Sequence, residues 1–196
     1  RSRFAGEPDY FANKGEQKGL LLVTNFVADA VNLPLIAARE RGAGGGHIRF
    51  NLARGSMNSH ISQFPVGTYK KAHCHGPGAH VIILNGVGYS LLWFEGETER
   101  RRVDWKDGAV LSPKEMEYHQ HFNTGPTPAR YLALRFGVPG IGRAPGTERN
   151  APWNTKEEME GIPFELEDRA IWETYVESCR VNSAEVRMAH PLAPAR

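Results

Sequence analysis

The chain contains 196 residues, which fits one domain with appendages. Its 24 Lys and Arg residues nearly balance 22 Asp and Glu residues, and the net charge of +2 argues against binding nucleic acid or a membrane surface through bulk charge. No apolar run reaches the roughly 18 residues that a membrane span needs. The two cysteines, Cys74 and Cys179, make no disulfide framework and favour a reducing, cytoplasmic setting.

Residues 1–46 are predicted to form an N-terminal arm. Residues 1–18 are polar, and Leu20–Phe26 is a short apolar run that favours a strand. Asp29–Arg41 is predicted to be a short helix, with Pro34 either in its first turn or breaking it. The glycine-rich residues 42–46 predict a flexible loop, because the Lys-Ser/Thr partner of a phosphate-binding loop is absent.

Residues 47–137 carry the pattern of an all-β domain. Short runs rich in β-branched and aromatic residues alternate with turns that contain Gly or Pro. The predicted strands are His47–Leu52, Met57–Phe64, Thr68–His75, His80–Leu84, Gly88–Phe94, Arg100–Trp105, Ala109–Ser112, Glu117–Asn123 and Ala129–Phe136. Regular short strands at this spacing are typical of an antiparallel sandwich or barrel.

Residues 138–196 are predicted to form a C-terminal extension. A loop rich in Gly and Pro covers Val138–Pro152, and a helix follows at Asp168–Cys179. Apolar residues recur along that helix at a spacing that gives one apolar stripe, namely Ile171, Trp172, Tyr175 and Val176. We expect this stripe to pack on the outside of the barrel or at a subunit contact.

Histidine is the unusual component, because five of the eight histidines lie between residues 73 and 121. His73 and His75 are two residues apart on a predicted strand, so both imidazoles point to one face and can hold a divalent transition metal. His80 opens the next predicted strand, and His119 and His121 share a face of a later one. The clustering predicts a metal site. Two of the remaining histidines, His47 and His60, are expected to be structural.

The spacing of these histidines resembles the two sequence motifs of the cupin superfamily. In the first motif, five residues separate Gly67 from the His73-Cys74-His75 triplet, as in the family, and His80 stands where the family has Glu. In the second, ten residues separate Gly108 from His119, and three residues separate His119 from Asn123. The resemblance covers about residues 64–137. It implies an all-β, cupin-type antiparallel β-barrel (double-stranded β-helix, or jelly roll), with the N-terminal arm and the C-terminal helix outside it.

Some positions depart from these motifs. The glycine that closes the first motif is displaced by one residue, because Gly86 and Gly88 flank the expected position. In the second motif, Pro113 comes one residue early and the motif's second glycine is missing. The departure at His80 matters most, because it replaces a charged ligand with a neutral one.

The resemblance assigns His73, His75 and His119 to the three histidine positions of the cupin metal site, with His80 as a fourth ligand. Neutral imidazoles leave both positive charges on the metal, which favours an anionic chelating substrate such as an enolate or a catecholate. Imidazole suits several divalent transition metals: Fe(II) is the first choice, and Mn, Zn, Ni and Cu stay open. His121 is the candidate catalytic residue, which moves protons or orients the substrate; a substrate contact, an alternative ligand or simple packing are the other readings.

By analogy with other cupins, the resemblance implies a metal-dependent dioxygenase that cleaves a carbon–carbon bond in a small substrate with vicinal or 1,3 oxygens. The expected partners are that substrate, dioxygen and a second copy in a homodimer, with no nucleic acid and no membrane. Two alternatives remain: a non-oxidative lyase or isomerase that uses the metal as a Lewis acid, and a non-catalytic cupin that binds a small molecule. Candidates for an apolar lining of the cavity are Ile82, Leu84, Leu132, Leu134 and Phe136.

Overall fold

The computed structural model describes residues 16–24, 26–37, 44–52, 57–75, 78–136 and 161–190. Within them the strands are β1 (Glu16–Lys18), β2 (Leu21–Val23), β3 (Ile36–Ala37), β4 (Gly46–Leu52), β5 (Met57–Phe64), β6 (His80–Asn85), β7 (Gly88–Trp93), β8 (Arg101–Trp105), β9 (Val110–Leu111), β10 (Tyr118–Asn123) and β11 (Ala129–Phe136). A 3-10 turn at Phe164–Leu166 precedes helix α1 (Arg169–Val181). Among the described residues, no helix has the length and apolar character that crossing a membrane requires.

Two sheets face each other across the core. The larger sheet has the order β4-β5-β11-β6-β9, antiparallel throughout, and strands β1 to β3 add to it at the β4 edge. The smaller sheet has the antiparallel order β10-β7-β8, and residues 68–75 lie along β10 through two isolated bridges. When residues 68–75 are counted as a strand, the two facing sheets have the strand order of a jelly roll. One sheet is then β5-β11-β6-β9, and the other is 68–75-β10-β7-β8. The all-β, cupin-type fold and the C-terminal helix predicted from the sequence are therefore confirmed.

The interior of the barrel is apolar at one end. Its buried cluster joins both sheets, since it contains residues of the larger sheet together with Trp105 of β8. On β11, Tyr131 and Ala133 belong to this inner cluster, whereas Leu132 packs against a second cluster on the outer face of the larger sheet. That outer cluster is centred on Leu22, Ile48, Phe50 and Ile61, and residues 27–35 of the arm supply partly buried side chains around it.

Helix α1 covers the outer face of the smaller sheet. Ile171, Tyr175 and Cys179 of the helix are buried in one cluster with Tyr89 and Phe122 of the sheet. The helix begins where Asp168 accepts a hydrogen bond from the backbone N–H of Ala170, as expected of an N-cap aspartate. Ile171, Trp172 and Tyr175 of the predicted stripe thus pack on the outside of the barrel, whereas Val176 is exposed. The helix extends two residues beyond the predicted end.

The helix predicted over Asp29–Arg41 is wrong for the residues that the structure describes. Asp29 Oδ1 accepts hydrogen bonds from the backbone N–H groups of Val31 and Asn32, which closes a turn in place of a helix. Ile36–Ala37 then forms β3, which pairs with β4. Pairing with the edge of the sheet gives Ile36 and Ala37 backbone hydrogen bonds to β4, and this stabilisation outweighs the helix propensity of the segment. Residues 38–41, residues 1–15 of the arm and the predicted loop Val138–Pro152 lie outside the described residues.

Candidate metal centre

Three buried histidines lie together on the inner face of the smaller sheet. The potential ligand atoms of His73, His75 and His119 are all within 4.8 Å of one another. The ring of His119 is centred 4.2 Å from that of His73 and 4.9 Å from that of His75. The three side chains are 3%, 7% and 3% exposed in chain order. The structure thus brings together three of the four residues that the motif resemblance proposes as ligands.

A bulge in the 68–75 segment orients these side chains. Tyr69 bridges to Phe122 and His73 bridges to His119, so four residues of this segment match three of β10. One extra residue therefore lies between the bridges and moves later side chains to the other face. The backbone N–H groups of His73 and His119 each donate to the carbonyl of the other, at 3.1 and 2.8 Å. This exchange fixes the two imidazoles side by side.

Backbone carbonyls orient two of the imidazoles. His119 Nδ1 lies 3.0 Å from the carbonyl oxygen of Glu117, and His73 Nδ1 lies 3.3 Å from that of Lys71. Because a carbonyl oxygen only accepts, the neutral ring carries its proton on Nδ1 and its lone pair on Nε2. Metal-binding histidines are commonly held in this way. A donor set of buried imidazoles, which bind a metal through the neutral ring, fits a divalent transition metal.

The structure does not bring His80 into this group. Its side chain is exposed, and its Nδ1 lies 2.8 Å from Ser112 Oγ. On β6, Val81 and Ile83 point into the inner cluster, and Leu84 packs on the outer one. Because residues two apart share a face of a strand, His80 lies on the outer face with Leu84. The role of His80 as a ligand stays a prediction, which this orientation does not support.

The same alternation applies to the expected apolar lining. Leu84 and Leu132 pack on the outer cluster, so the prediction that they line the cavity is wrong. The inner apolar surface is made by the residues between them in sequence, including Ile83, Tyr131 and Ala133. A run of apolar residues does not reveal which of its two faces is covered by the opposite sheet and which by the arm. The side chain of Phe136 lies outside the described residues.

His121 lies next to the three histidines and has a partner of its own. Its ring is centred 5.5 Å from that of His119, and the side chain is 3% exposed. Its Nδ1 lies 2.7 Å from Ser90 Oγ, and Ser90 Oγ accepts a hydrogen bond from Trp105 Nε1 at 3.0 Å. A neutral His121 ring that accepts at Nδ1 from the Ser90 hydroxyl carries its proton on Nε2. In this tautomer, His121 can donate a hydrogen bond from Nε2. The Nε2 atoms of His73 and His119 carry a lone pair in place of a proton and can bind a metal.

The sequence analysis missed polar groups deeper in the same interior. Lys70 is buried, and its Nζ donates to Ser62 Oγ at 2.5 Å and to the Tyr131 hydroxyl at 3.1 Å. The Tyr131 ring is centred 5.2 Å from the ring of His121 and 5.8 Å from that of His60. His60, expected to be structural, therefore shares this interior. His60 lies two residues from Ser62 on β5, so the two side chains share a face. Knowing which face of β5 is the inner one would have predicted the position of His60.

The carboxylate of Glu167 binds side chains on the outer face of the smaller sheet. Glu167 Oε1 accepts from the Tyr69 hydroxyl at 2.6 Å, and Oε2 accepts from Gln120 Nε2 at 2.6 Å. Burial raises the pKa of the Glu167 carboxyl, and the hydrogen bonds from Tyr69 and Gln120 lower it in part. Gln120 stands between His119 and His121, so this contact links the start of the C-terminal helix to the histidine strand.

No family model matches the chain, and no curated protein matches it. Solved structures that resemble it include the capsular polysaccharide assembling protein CapF from Staphylococcus aureus, at 14% identity and a TM-score of 0.46 over 54% of this chain and 31% of that one. A Bacillus subtilis oxalate decarboxylase OxdC variant overlaps at 16% identity and a TM-score of 0.43, over 47% of this chain and 26% of that one. The chain thus spans about a third or less of those proteins, and overlap at this level assigns no function.

Proposed function

We propose that this chain is a metal-dependent oxygenase in which His73, His75 and His119 hold a divalent metal, Fe(II) first, inside a cupin-type barrel. The observation that carries the proposal is the buried group of three imidazoles. A catalytic metal needs open coordination positions, and three protein ligands leave such positions for a small chelating substrate and dioxygen. A structural site would be expected to close its coordination shell with protein ligands.

The charge of the site supports an anionic substrate. The three imidazoles are neutral ligands, so they do not offset the two positive charges of a divalent ion. When bound, iron supplies Lewis acidity and a path for electrons to dioxygen. The surrounding protein excludes water, because the three histidines and His121 are each at least nine-tenths buried.

His121 is proposed to orient the substrate. Its Nε2 proton can be donated to an oxygen of an enolate, and Ser90 and Trp105 keep the ring in that tautomer. For a β-diketone, one carbon–carbon bond breaks and both atoms of one dioxygen end in the products. Pentane-2,4-dione would give acetic acid and 2-oxopropanal, a balance that needs no further reductant.

A non-oxidative lyase or isomerase is the second candidate. Three histidines also form catalytic zinc sites, where the metal acts as a Lewis acid without dioxygen. The homodimer and the cytoplasmic location stay predictions.

The test is oxygen consumption by protein purified without a histidine tag and loaded anaerobically with Fe(II). With pentane-2,4-dione or catechol as the substrate, the proposal expects one dioxygen consumed per substrate cleaved. Zinc-loaded protein and His119→Ala are expected to consume none. Substrate conversion at the same rate with zinc and without dioxygen would instead support the lyase or isomerase, and a protein that takes up no stoichiometric metal would refute both enzymes.

A substitution at Ser90 tests the role of His121. Ser90→Ala removes the hydroxyl that donates to Nδ1, so His121 can place its proton on either nitrogen. We expect a lower kcat with unchanged metal content, because the Ser90 hydroxyl contacts His121, which is not among the proposed metal ligands. An unchanged kcat would show that the tautomer of His121 does not matter.

A further inference from the structure

Asn58 is a buried amide without a hydrogen-bond partner among the residues that the structure describes. It is 5% exposed, and neither its Nδ2 nor its Oδ1 makes a hydrogen bond. Leaving a buried polar group unsatisfied costs about 1–3 kcal/mol, so such groups are rare and call for an explanation. An apolar residue of the same shape would avoid this cost.

The pairing of β5 with β11 places Asn58 on the inner wall of the barrel. Asn58, His60 and Ser62 alternate along β5 and share a face, and Ser62 meets Lys70 of the opposite wall. Arg135 stands directly opposite Asn58 on β11, and it shares a face with Tyr131 and Ala133 of the inner cluster. The amide and the guanidinium group therefore belong to neighbouring side chains on one wall.

This position lies at the same end of the barrel as the three histidines. The chain reverses between β5 and the 68–75 segment, and the contact between Ser62 and Lys70 sets the two walls against each other. Moving from Ser62 back to Asn58 therefore runs in the same direction as moving from Lys70 on to His73 and His75. Facing sheets are about 10 Å apart, a span that a small bifunctional ligand can bridge.

Acidic residues are missing from four described strands of the wall that carries Asn58. The sequences of β4, β5, β6 and β11 contain no Asp or Glu, whereas Arg135 contributes a positive charge. On the opposite wall, the carboxylate of Glu117 is held by Arg101 and by the backbone N–H of Lys114. An anion between the two sheets would therefore meet Arg135 and no carboxylate from these four strands.

We propose that Asn58 and Arg135 form a carboxylate-binding subsite across the cavity from the three histidines. This deepens the proposed function and rests on it, because it makes the substrate a small carboxylic acid that also carries metal-chelating oxygens. The guanidinium group of Arg135 pairs with the carboxylate, which also accepts a hydrogen bond from Asn58 Nδ2. A hydroxyl or enol group next to the carboxylate would donate to Asn58 Oδ1, so an enolised 2-oxo acid fits both atoms of the amide.

The test compares two ligands that differ by a carboxylate, pentane-2,4-dione and 2,4-dioxopentanoate. Their affinities are measured by calorimetry on the full chain loaded with zinc, which is redox-inert. Charged hydrogen bonds of this kind give wild type about a 10- to 100-fold preference for 2,4-dioxopentanoate. Asn58→Leu and Arg135→Met are each expected to reduce the preference to within about 3-fold of unity, while zinc content and the affinity for pentane-2,4-dione stay unchanged.

Two further variants separate binding from folding. Asn58→Asp keeps the shape of the side chain and repels the carboxylate, so it should also lose the preference. Ser59→Ala changes the adjacent buried residue, which lies on the opposite face of β5, and should keep it. Without ligand, Asn58→Leu is expected to melt at the wild-type Tm or above it, because it removes an unsatisfied amide. A Tm well below wild type would assign Asn58 a structural role and contradict the proposal.

Metal-free protein distinguishes failure of this subsite from failure of the metal site. Lactate, which has a carboxylate beside a hydroxyl, is expected to raise the Tm of metal-free wild type and not that of Asn58→Leu. This shift would support the subsite even if zinc failed to bind. The subsite would be refuted if wild type bound the two ligands with equal affinity. It would also be refuted if both Asn58→Leu and Arg135→Met kept the wild-type preference for 2,4-dioxopentanoate. Neither result would contradict the proposed metal site.

Discussion

The two faces of β10 carry different kinds of side chain, and they have different tasks. The inner face presents His119 and His121, which are buried and whose Nδ1 atoms contact the Glu117 carbonyl and the Ser90 hydroxyl. The outer face presents Gln120 and Phe122, which contact the 3-10 turn, its following residue Glu167 and helix α1. Residues with chemical function thus alternate with residues that fix the strand in place.

The outer face owes its rigidity to aromatic packing. The ring of Phe122 stacks on Tyr89 with centroids 4.4 Å apart and on Tyr69 with centroids 4.8 Å apart. Tyr175 of the helix closes this group against Tyr69, also at 4.8 Å. Substitutions on the outer face are therefore expected to cost stability, and substitutions on the inner face are expected to cost metal or ligand binding.

The largest loss of stability is expected from Tyr175→Ala. Tyr175 is fully buried in the aromatic group, and removing a buried aromatic side chain costs about 3–5 kcal/mol. The measurement is the free energy of unfolding from urea titration, with Val176→Ala on the exposed side of the same helix as a control. The control is expected to stay within about 0.5 kcal/mol of wild type. A Tyr175→Ala protein as stable as the control would show that the helix does not support the sheet.

A smaller loss is expected from Glu167→Ala. This change leaves the Tyr69 hydroxyl and Gln120 Nε2 without their acceptor, at a cost of about 1–3 kcal/mol. Glu165→Ala, two residues earlier and exposed, is the matched control. Equal urea midpoints for the two variants would mean that the carboxylate does not hold the back of β10.

The smallest effect is a pH dependence that Glu167→Gln should remove. Burial raises the pKa of this carboxyl in the folded protein, so the unfolded chain releases the proton first, from about pH 4.3 upward. Wild type should therefore lose stability relative to Glu167→Gln as the pH rises through this window, and the difference should level off above the folded pKa. A difference that grows in favour of wild type over the same window would reverse the sign and contradict the assignment.

The sequence predicted the elements whose pattern is local. The strands of residues 47–137 follow from alternating apolar residues and from turns such as those at Gly67 and Gly108, whose φ angles of 63° and 79° favour glycine. The trio of His73, His75 and His119 followed from spacing and from the motif resemblance. These features depend on the period of a strand and not on what packs against it.

The rest depended on packing that the sequence does not encode locally. The position of His80 depends on which face of β6 points into the barrel. Packing against the opposite sheet and the arm determines this face, and the sequence of β6 alone does not. The bulge between Tyr69 and His73 hides the fact that Lys70 shares the interior with the histidines. The pairing of Asn58 with Arg135 joins residues far apart in the chain, so no spacing rule could have found it.

The most direct test of the account is the metal content of protein purified without a histidine tag, measured by elemental analysis for wild type, His75→Ala and His80→Ala. The account predicts one divalent transition metal per chain in wild type and in His80→Ala, whose side chain lies on the outer face. It predicts almost none in His75→Ala at an unchanged Tm of the metal-free protein. A His75→Ala protein that keeps its metal, or a wild type that holds none under saturating metal, would contradict the three-histidine site.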